Sequence, residues 1–232
     1  MIAIVTGSSK GIGKAIVVEF AKAGYDIIMC ARDEKVLTSA AAEISKQFPD
    51  VTISHKAADL SNKSEVVQFA EWCLSKGVPD ILVNNAGSYL PGNISDEKDG
   101  NLELLMKTNV YSAYYLTRAL LPHMKEKSKG HIFNICSIAS LHAYEGGGSY
   151  SISKFALNGF NKNLRHELMK NGIKVTAIFP GAVFTDSWKG FDNSMGRIME
   201  AKDIAVMVEA ASRLSPQANV EEIIIRPLEG DL

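Results

Sequence analysis

Cysteine is scarce in this chain: Cys30, Cys73 and Cys136 are the only three in 232 residues. An odd, scattered set makes no disulfide framework, and no CxxC pair accompanies it, so a reducing compartment is the simplest expectation. An excess of charge is missing as well. The formal net charge is −1 and both signs are dispersed along the chain, which argues against nucleic acid or an anionic membrane surface as a partner. No apolar run approaches the roughly 18–20 residues needed to cross a bilayer. The opening Met-Ile-Ala-Ile-Val-Thr-Gly enters an apolar run at once, without a basic stretch or cleavage site before it, so a soluble, cytoplasmic protein is expected. His55, His123, His131, His142 and His166 share no spacing with a carboxylate or cysteine cluster. No metal is expected, and most of these histidines read as solvated or structural.

What the chain does have is 46% hydrophobic residues in an alternating order. Short apolar runs occur at Ile2–Thr6, Asp26–Cys30, Val51–Lys56, Ile81–Asn84, His131–Cys136, Lys174–Phe179 and Glu222–Arg226. Few polar residues interrupt them, as in parallel strands covered on both faces. Between them lie segments of helical spacing: Gly13–Ala23, Lys35–Phe48, Ser64–Lys76, Leu102–Lys125 and Ser153–Met169. Repeated β-α-β units predict an α/β fold, a doubly wound parallel sheet of about seven strands with helices on both faces. No linker, repeat or low-complexity tract interrupts 1–232, so one domain is expected. The stretch Thr185–Glu200, with Gly190 and Gly196, is too long for an ordinary connection and reads as a lid.

The first strand ends in Thr6-Gly7-Ser8-Ser9-Lys10-Gly11-Ile12-Gly13 and runs into a helix. Gly7 permits a tight turn, Gly11 lets backbone approach a pyrophosphate, and Gly13 lets the helix pack closely. The helix N-terminus offers free N–H groups to phosphates. A glycine-rich turn with no ligand is the plainer alternative; the strand before it and the helix after it favour a dinucleotide.

The spacing T-G-x-x-x-G-x-G resembles that of the short-chain dehydrogenases/reductases, and the likeness extends along nearly the whole chain. Asp59-Leu60, Asn84-Asn85-Ala86-Gly87, Asn109 within Lys107-Thr108-Asn109-Val110, Tyr150-Ser151-Ile152-Ser153-Lys154, and Pro180-Gly181 with Thr185 follow in the family's order. Each fragment is weak alone; six in order are specific. The resemblance implies a Rossmann-type fold and a nicotinamide cofactor held by Gly7, Ser9, Lys10, Gly11, Ile12, Gly13, Arg32, Asp59, Leu60, Asn85, Ala86, Gly87, Tyr150, Lys154, Pro180, Gly181, Val183 and Thr185. It implies Asn109, Ser137, Tyr150 and Lys154 as the catalytic set.

The chemistry of those residue types agrees. Tyr150 and Lys154 are four apart and share a helix face. A lysine cation nearby is expected to pull the phenol down from its usual pKa near 10, so that it exchanges a proton with a carbonyl oxygen. Ser137, thirteen residues before Tyr150, is implied to polarise that carbonyl; a turn cap is its plainer role. The family often has two serines here, whereas this chain has Cys136-Ser137, with Cys136 read as a buried strand residue. Asn109 is locally unfavourable inside an apolar helix. The resemblance implies that it bends the helix and holds a water that links Lys154 to solvent; the alternative is an amide capping neighbouring backbone.

Strand two ends Met29-Cys30-Ala31-Arg32 with no acid at its tip. Arg32, helped by Lys10, suits a 2′-phosphate, so NADP(H) is expected over NAD, with Asp33 read as an N-cap. His142 and Tyr144, between Ser137 and Tyr150, and Trp188 in the lid are the candidate substrate contacts. The C-terminal third, Pro180–Thr185 with Trp188 and the ending Glu221–Leu232, looks like bacterial sepiapterin-reductase-like members of the family. That implies a pterin side-chain ketone among the carbonyls reduced. A 3-oxoacyl-thioester reductase is the enzymatic alternative, and a non-catalytic NADP(H) sensor is the alternative outside enzymes. The family likeness also implies a homodimer or homotetramer, formed through Leu102–Lys125 and Ser153–Met169. The apolar Val110, Tyr111, Ala113, Tyr114, Leu116 and Leu120 are its expected contact face.

Overall fold

A computed structural model of the chain describes residues 1–188 and 190–231; Lys189, within the expected lid, and Leu232 lie outside the described residues. The expected strands form one seven-stranded sheet: β1 (Ile2–Thr6), β2 (Asp26–Ala31), β3 (Ile53–Ala57), β4 (Ile81–Asn84), β5 (Gly130–Ile135), β6 (Ile173–Pro180) and, last in the chain, the strand Glu222–Ile225. The order across the sheet is β3-β2-β1-β4-β5-β6 and then the Glu222–Ile225 strand, and every pairing is parallel. The order reverses between β1 and β4, the switch point at which doubly wound sheets open a crevice beyond their carboxyl ends.

The helices that bury the two faces are α1 (Gly11–Lys22), α2 (Glu34–Gln47), α3 (Lys63–Leu74), α4 (Asn101–Leu105), α5 (Ser112–Lys127), α6 (Gly148–Leu168) and α7 (Ala201–Ser212). On one face Ile16 and Phe20 of α1, Leu37 and Ile44 of α2 and Ile204 and Val208 of α7 close over Val5 and Met29. On the other, Phe69 of α3, Leu116 and Leu120 of α5 and Leu164 of α6 close over Ile4, Leu82 and Ile132. Phe20, Phe69, Phe133 and Phe179 are wholly buried; truncating any one to alanine removes about 3–5 kcal/mol.

Several expectations are corrected. The single helix expected over Leu102–Lys125 is α4 and α5 joined by a π-helical segment, Met106–Tyr111, and an asparagine at its centre is the local cause (below). Helix α6 starts at Gly148, five residues earlier than expected. The expected contact face is mostly core: Val110, Ala113, Leu116 and Leu120 are buried, and only Tyr111 and Tyr114 are exposed, beside Ile152 and Phe155 of α6. The segment after β6 is not wholly irregular. Its ends pair as β7 (Val183–Phe184) and β8 (Met199–Glu200), which clasp a loop between them; the Glu222–Ile225 strand is thus β9. Helix α7, absent from the sequence expectation, starts from a reciprocal cap in which Glu200 N–H donates to Asp203 Oδ2 at 2.9 Å.

Candidate active site

The crevice at the switch point has two arms that meet at Gly87. The glycine-rich turn forms the floor of one. Gly7 has φ +62°, and a Cβ on Gly13 would lie 2.3 Å from Gly7 O and 2.5 Å from Asn85 Nδ2, so neither position admits a side chain. Helix α1 has no side-chain cap at its N-cap, Lys10, which leaves first-turn N–H groups facing the crevice mouth. The turn is stitched to β4. Thr6 Oγ1 accepts from the N–H of Asn85 and of Ala86, both at 3.0 Å. Asn85 Nδ2 donates to Thr6 O at 2.9 Å and Gly7 O at 3.0 Å. Asn85, expected to contact the cofactor, thus has its amide donors committed to holding the turn.

The same arm is lined by Ser9, Lys10, Arg32, Asp59, Leu60 and Ala86. Arg32 is exposed, and among the described residues no carboxylate pairs with it. Asp33 caps α2 by accepting from Val36 N–H at 3.0 Å, the role expected of it. Lys10 departs from expectation: its ammonium pairs with Asp186 of the lid, so its charge is already countered there. Asp59 Oδ1 accepts from Ser61 N–H at 3.0 Å, which fixes the chain beyond β3.

The other arm, a cavity of about 330 Å³, brings together Ile12, Ser137, Tyr144, Tyr150, Lys154, Pro180, Gly181, Val183, Thr185 and Trp188. Residues that follow β5, from α6 and from the segment after β6 thus converge. His142 does not: it is exposed and stands off the cavity wall. Trp188 both lines the cavity and packs edge-to-face on Phe191, ring centroids 5.3 Å apart.

Ser137 caps a short 3₁₀ turn, Ile138–Ser140, accepting from Ala139 N–H at 3.2 Å, and it lines the same cavity as Tyr150. The cap is the plainer of the two roles expected of Ser137. The expected tuning of Tyr150 is not met. Burial pushes the phenol up to about 12, partly offset by Ser137. Lys154 Nζ instead donates to Ile135 O at 2.9 Å and lies 5.8 Å from the Tyr150 ring centre; burial lowers its own pKa. Desolvation outweighs attraction because the ammonium faces the ring and the β5 carbonyl.

Asn109 sits within the π-helical segment, the distortion expected of it. Its amide is fully engaged: Oδ1 accepts from Ser88 N–H at 2.7 Å, and Nδ2 donates to Ser88 O at 3.1 Å and to Ser153 Oγ at 2.9 Å. The backbone-capping alternative is the one this geometry meets. Cys136 is buried, and desolvation pushes its thiol up to about 12, as befits an inert residue.

Three lining residues had no motif to announce them. Tyr89 sets its ring edge-to-face against Tyr150, centroids 4.8 Å apart. Ser88 is the anchor for Asn109. Asp231 brings a carboxylate to the cavity wall; Oδ2 pairs with Arg226, while Oδ1 is buried with no partner among the described residues. Among the described residues there is no cluster of metal-ligating side chains, and no helix is long and apolar enough to cross a membrane.

Comparison with known proteins agrees with this architecture. The family model for short chain dehydrogenase matches residues 1–195. The chain is 34% identical over 231 residues to an uncharacterised oxidoreductase of Staphylococcus saprophyticus, covering 98% of this chain and 97% of that one. It is 32% identical to the sepiapterin reductase of Chlorobaculum tepidum, over 100% of this chain and 98% of the other. Among solved structures, a metagenomic short-chain oxidoreductase in complex with NADP superposes with a TM-score of 0.85 at 31% identity, covering 98% of this chain and 96% of that one. The chain belongs to the short-chain dehydrogenase family.

Proposed function

We propose that residues 1–232 act as one NADP(H)-binding domain that reduces a ketone to an alcohol. Tyr150 is the proton donor, Ser137 and Lys154 assist it, and Asn109 holds the site's frame. The observation that carries this reading is that Ser137, Tyr150 and Lys154 line one cavity, which meets the arm floored by the glycine-rich turn at Gly87. The residues present fit the cofactor. The turn has no room for side chains at Gly7 and Gly13, the α1 N-terminus is uncapped, and Arg32 is free to meet a 2′-phosphate. The NADP bound to the metagenomic relative supports the same choice.

NADPH, when bound, supplies the hydride. Ser137 Oγ hydrogen-bonds the substrate carbonyl and polarises it. Tyr150 gives its proton to the oxygen as negative charge develops there; an alkoxide is far more basic than a phenolate even at a pKa of about 12, so the transfer runs downhill. Lys154 uses one of its three donors on Ile135 O and keeps two for the cofactor side of the cavity. The three buried, unpaired thiols suit a cytoplasmic enzyme.

The substrate is a neutral, flat ketone, with a pterin side chain as one candidate. Tyr89, Tyr144 and Trp188 offer aromatic surface, Lys154 is the one cation among the described lining residues, and the Asp231 carboxylate is paired with Arg226. These same features count against a 3-oxoacyl thioester on an anionic carrier. The likeness to the C. tepidum sepiapterin reductase is the second support for the pterin. The test is a screen of carbonyls with NADPH that includes sepiapterin, diketones and acetoacetyl thioesters, run on wild type and Tyr150→Phe. Loss of turnover by about 10²–10⁴ in the variant is expected of a general acid, with NADPH binding intact. Turnover of none of the carbonyls by the wild type would favour the sensor instead.

A further inference from the structure

Helix α6 carries Tyr150 in its first turn, yet its own N-cap, Gly147, has no side chain with which to cap it. The missing acceptor comes from far away. Glu97 Oε2 accepts from Ser149 N–H at 3.2 Å, and Oε1 takes the Ser149 hydroxyl. Ser149 is buried, Glu97 is half-buried, and 52 residues separate them. The loop that brings Glu97 is bound to the same turn elsewhere: Gly92 N–H donates to Gly146 O at 2.9 Å, and Asn93 Oδ1 accepts from Gly146 N–H at 3.0 Å. The fit is close enough that a Cβ on Gly148 would lie 2.3 Å from Gly92 O. The far end of the loop is Ser88, clamped by Asn109, and next to it Tyr89 rests on the Tyr150 ring.

We propose that Glu97 is a positioning residue for Tyr150. It supplies the cap that α6 lacks, and it locks the loop bearing Tyr89 against the phenol. One orphan backbone N–H at the start of the helix and the hydroxyl of the same serine are satisfied by one carboxylate, whose charge also suits the positive helix end. Without it the first turn of α6 frays, and the Tyr150 hydroxyl drifts from Ser137 while the glycine-rich turn, built from β1 and β4, stays as it is. Glu97 touches neither substrate nor cofactor; its effect passes through Ser149 and Tyr89.

The proposal rests on the role given to Tyr150, so the test compares Glu97→Ala, Glu97→Gln and Tyr150→Phe in the full chain. Steady-state kinetics with NADPH and a small diketone, and NADPH affinity from its fluorescence, are read for each. Glu97→Ala should lower kcat roughly ten- to a hundredfold, the scale on which misplacement of a reacting group is felt, with KM and NADPH affinity unchanged. Glu97→Gln, which keeps an acceptor oxygen for Ser149, should restore most of kcat. A wild-type kcat in Glu97→Ala overturns the proposal. So does a loss that glutamine fails to rescue, or one that NADPH affinity shares in the same ratio. An inactive Tyr150→Phe beside a fully active Glu97→Ala sinks Glu97 alone, whereas an active Tyr150→Phe sinks the reading of Tyr150 itself.

Discussion

Lys154 lies over the ring of Tyr150, 5.8 Å from its centre, and gives its hydrogen bond to the carbonyl of Ile135 rather than to the phenol. The phenol is therefore governed by its burial, and its pKa is raised to about 12. In the protein without cofactor Tyr150 should stay protonated through the whole neutral range. A difference titration at the phenolate absorption band, wild type minus Tyr150→Phe, is the direct measurement. It should show no phenolate amplitude until strongly alkaline pH. Amplitude appearing near pH 8 would mean that Lys154 tunes the phenol after all.

Cofactor preference turns on Arg32 and on a competitor for Lys10. Arg32→Asp should shift the ratio of NADPH to NADH affinity toward NADH by about ten- to a hundredfold, the scale of a charge-assisted hydrogen bond lost. Asp186→Asn should move the ratio the other way by at most about fivefold, because it releases Lys10 from an exposed pair worth little in itself. Titration of both cofactors against all three proteins decides it. An unchanged ratio in Arg32→Asp would mean that Arg32 points away from the ribose.

Association should rest on a smaller patch than the sequence implied. Tyr111 and Tyr114 from the α5 side and Ile152 and Phe155 from α6 are exposed large apolar side chains, and closed symmetry is the common outcome for such a patch. Light scattering at micromolar concentration should give a dimer or tetramer, and Phe155→Glu should lower that mass. A monomeric wild type would remove the expectation.

The sheet was legible because each β-α-β unit announces itself within some thirty residues. So was the glycine-rich turn, whose three glycines stand in a fixed spacing between a strand and a helix, though the atoms that crowd Gly7 belong to Asn85 and Ala86 far along the chain. Asn109 was legible as a misfit in an apolar helix, though the sequence does not say that a π-helical turn would absorb it. Helix α7 carried a readable pattern, Ile204, Ala205 and Val208 after an acidic cap, but was eclipsed by the glycine-bearing stretch before it. Tyr89, Glu97 and Asp231 were not legible. Tyr89 and Asp231 reach the cavity, and Glu97 the first turn of α6, over long sequence separation, and no local period marks them. The balance of burial against charge at Tyr150 was equally hidden, since four-residue spacing says that two side chains are near but not which way an ammonium points.

His131 makes the fold sensitive to acid. It is buried at the start of β5, stacked on Phe133 at 3.9 Å and bonded to Thr176 Oγ1 at 2.7 Å. Desolvation lowers its pKa to about 3, so the folded protein keeps the ring neutral while the unfolded chain takes up a proton below pH 6.5. The stability this group provides is whole above pH 6.5 and is lost as the pH falls from there toward 3, at about 1.4 kcal/mol per pH unit. Urea unfolding of wild type and His131→Asn should show the variant weaker at pH 7, with the gap between them narrowing by about 2 kcal/mol at pH 5. A constant gap would show that the ring reaches solvent and titrates freely.

Trp188 decides whether the cavity is built for a flat heterocycle. Its ring lines the cavity together with Tyr89 and Tyr144 and packs edge-to-face on Phe191. The lid that carries it is clasped by the β7–β8 pairing and tied down by Arg197, which donates to Gly230 O at 3.0 Å, so the indole is presented from a fixed base. Trp188→Ala should therefore raise KM for a pterin much more than for a small diketone, which is too small to span the cavity. The aromatic contact beyond simple area burial is about 0.5–1.5 kcal/mol, or roughly three- to tenfold. Asp231→Asn provides the companion measurement. If a pterin's amino and ring N–H groups satisfy the unpartnered Oδ1, this variant too should weaken the pterin and leave the diketone alone. Steady-state kinetics on both substrates separate the outcomes. Equal losses on the two substrates would reduce Trp188 to a packing residue of the lid, and the pterin reading would lose its main physical support.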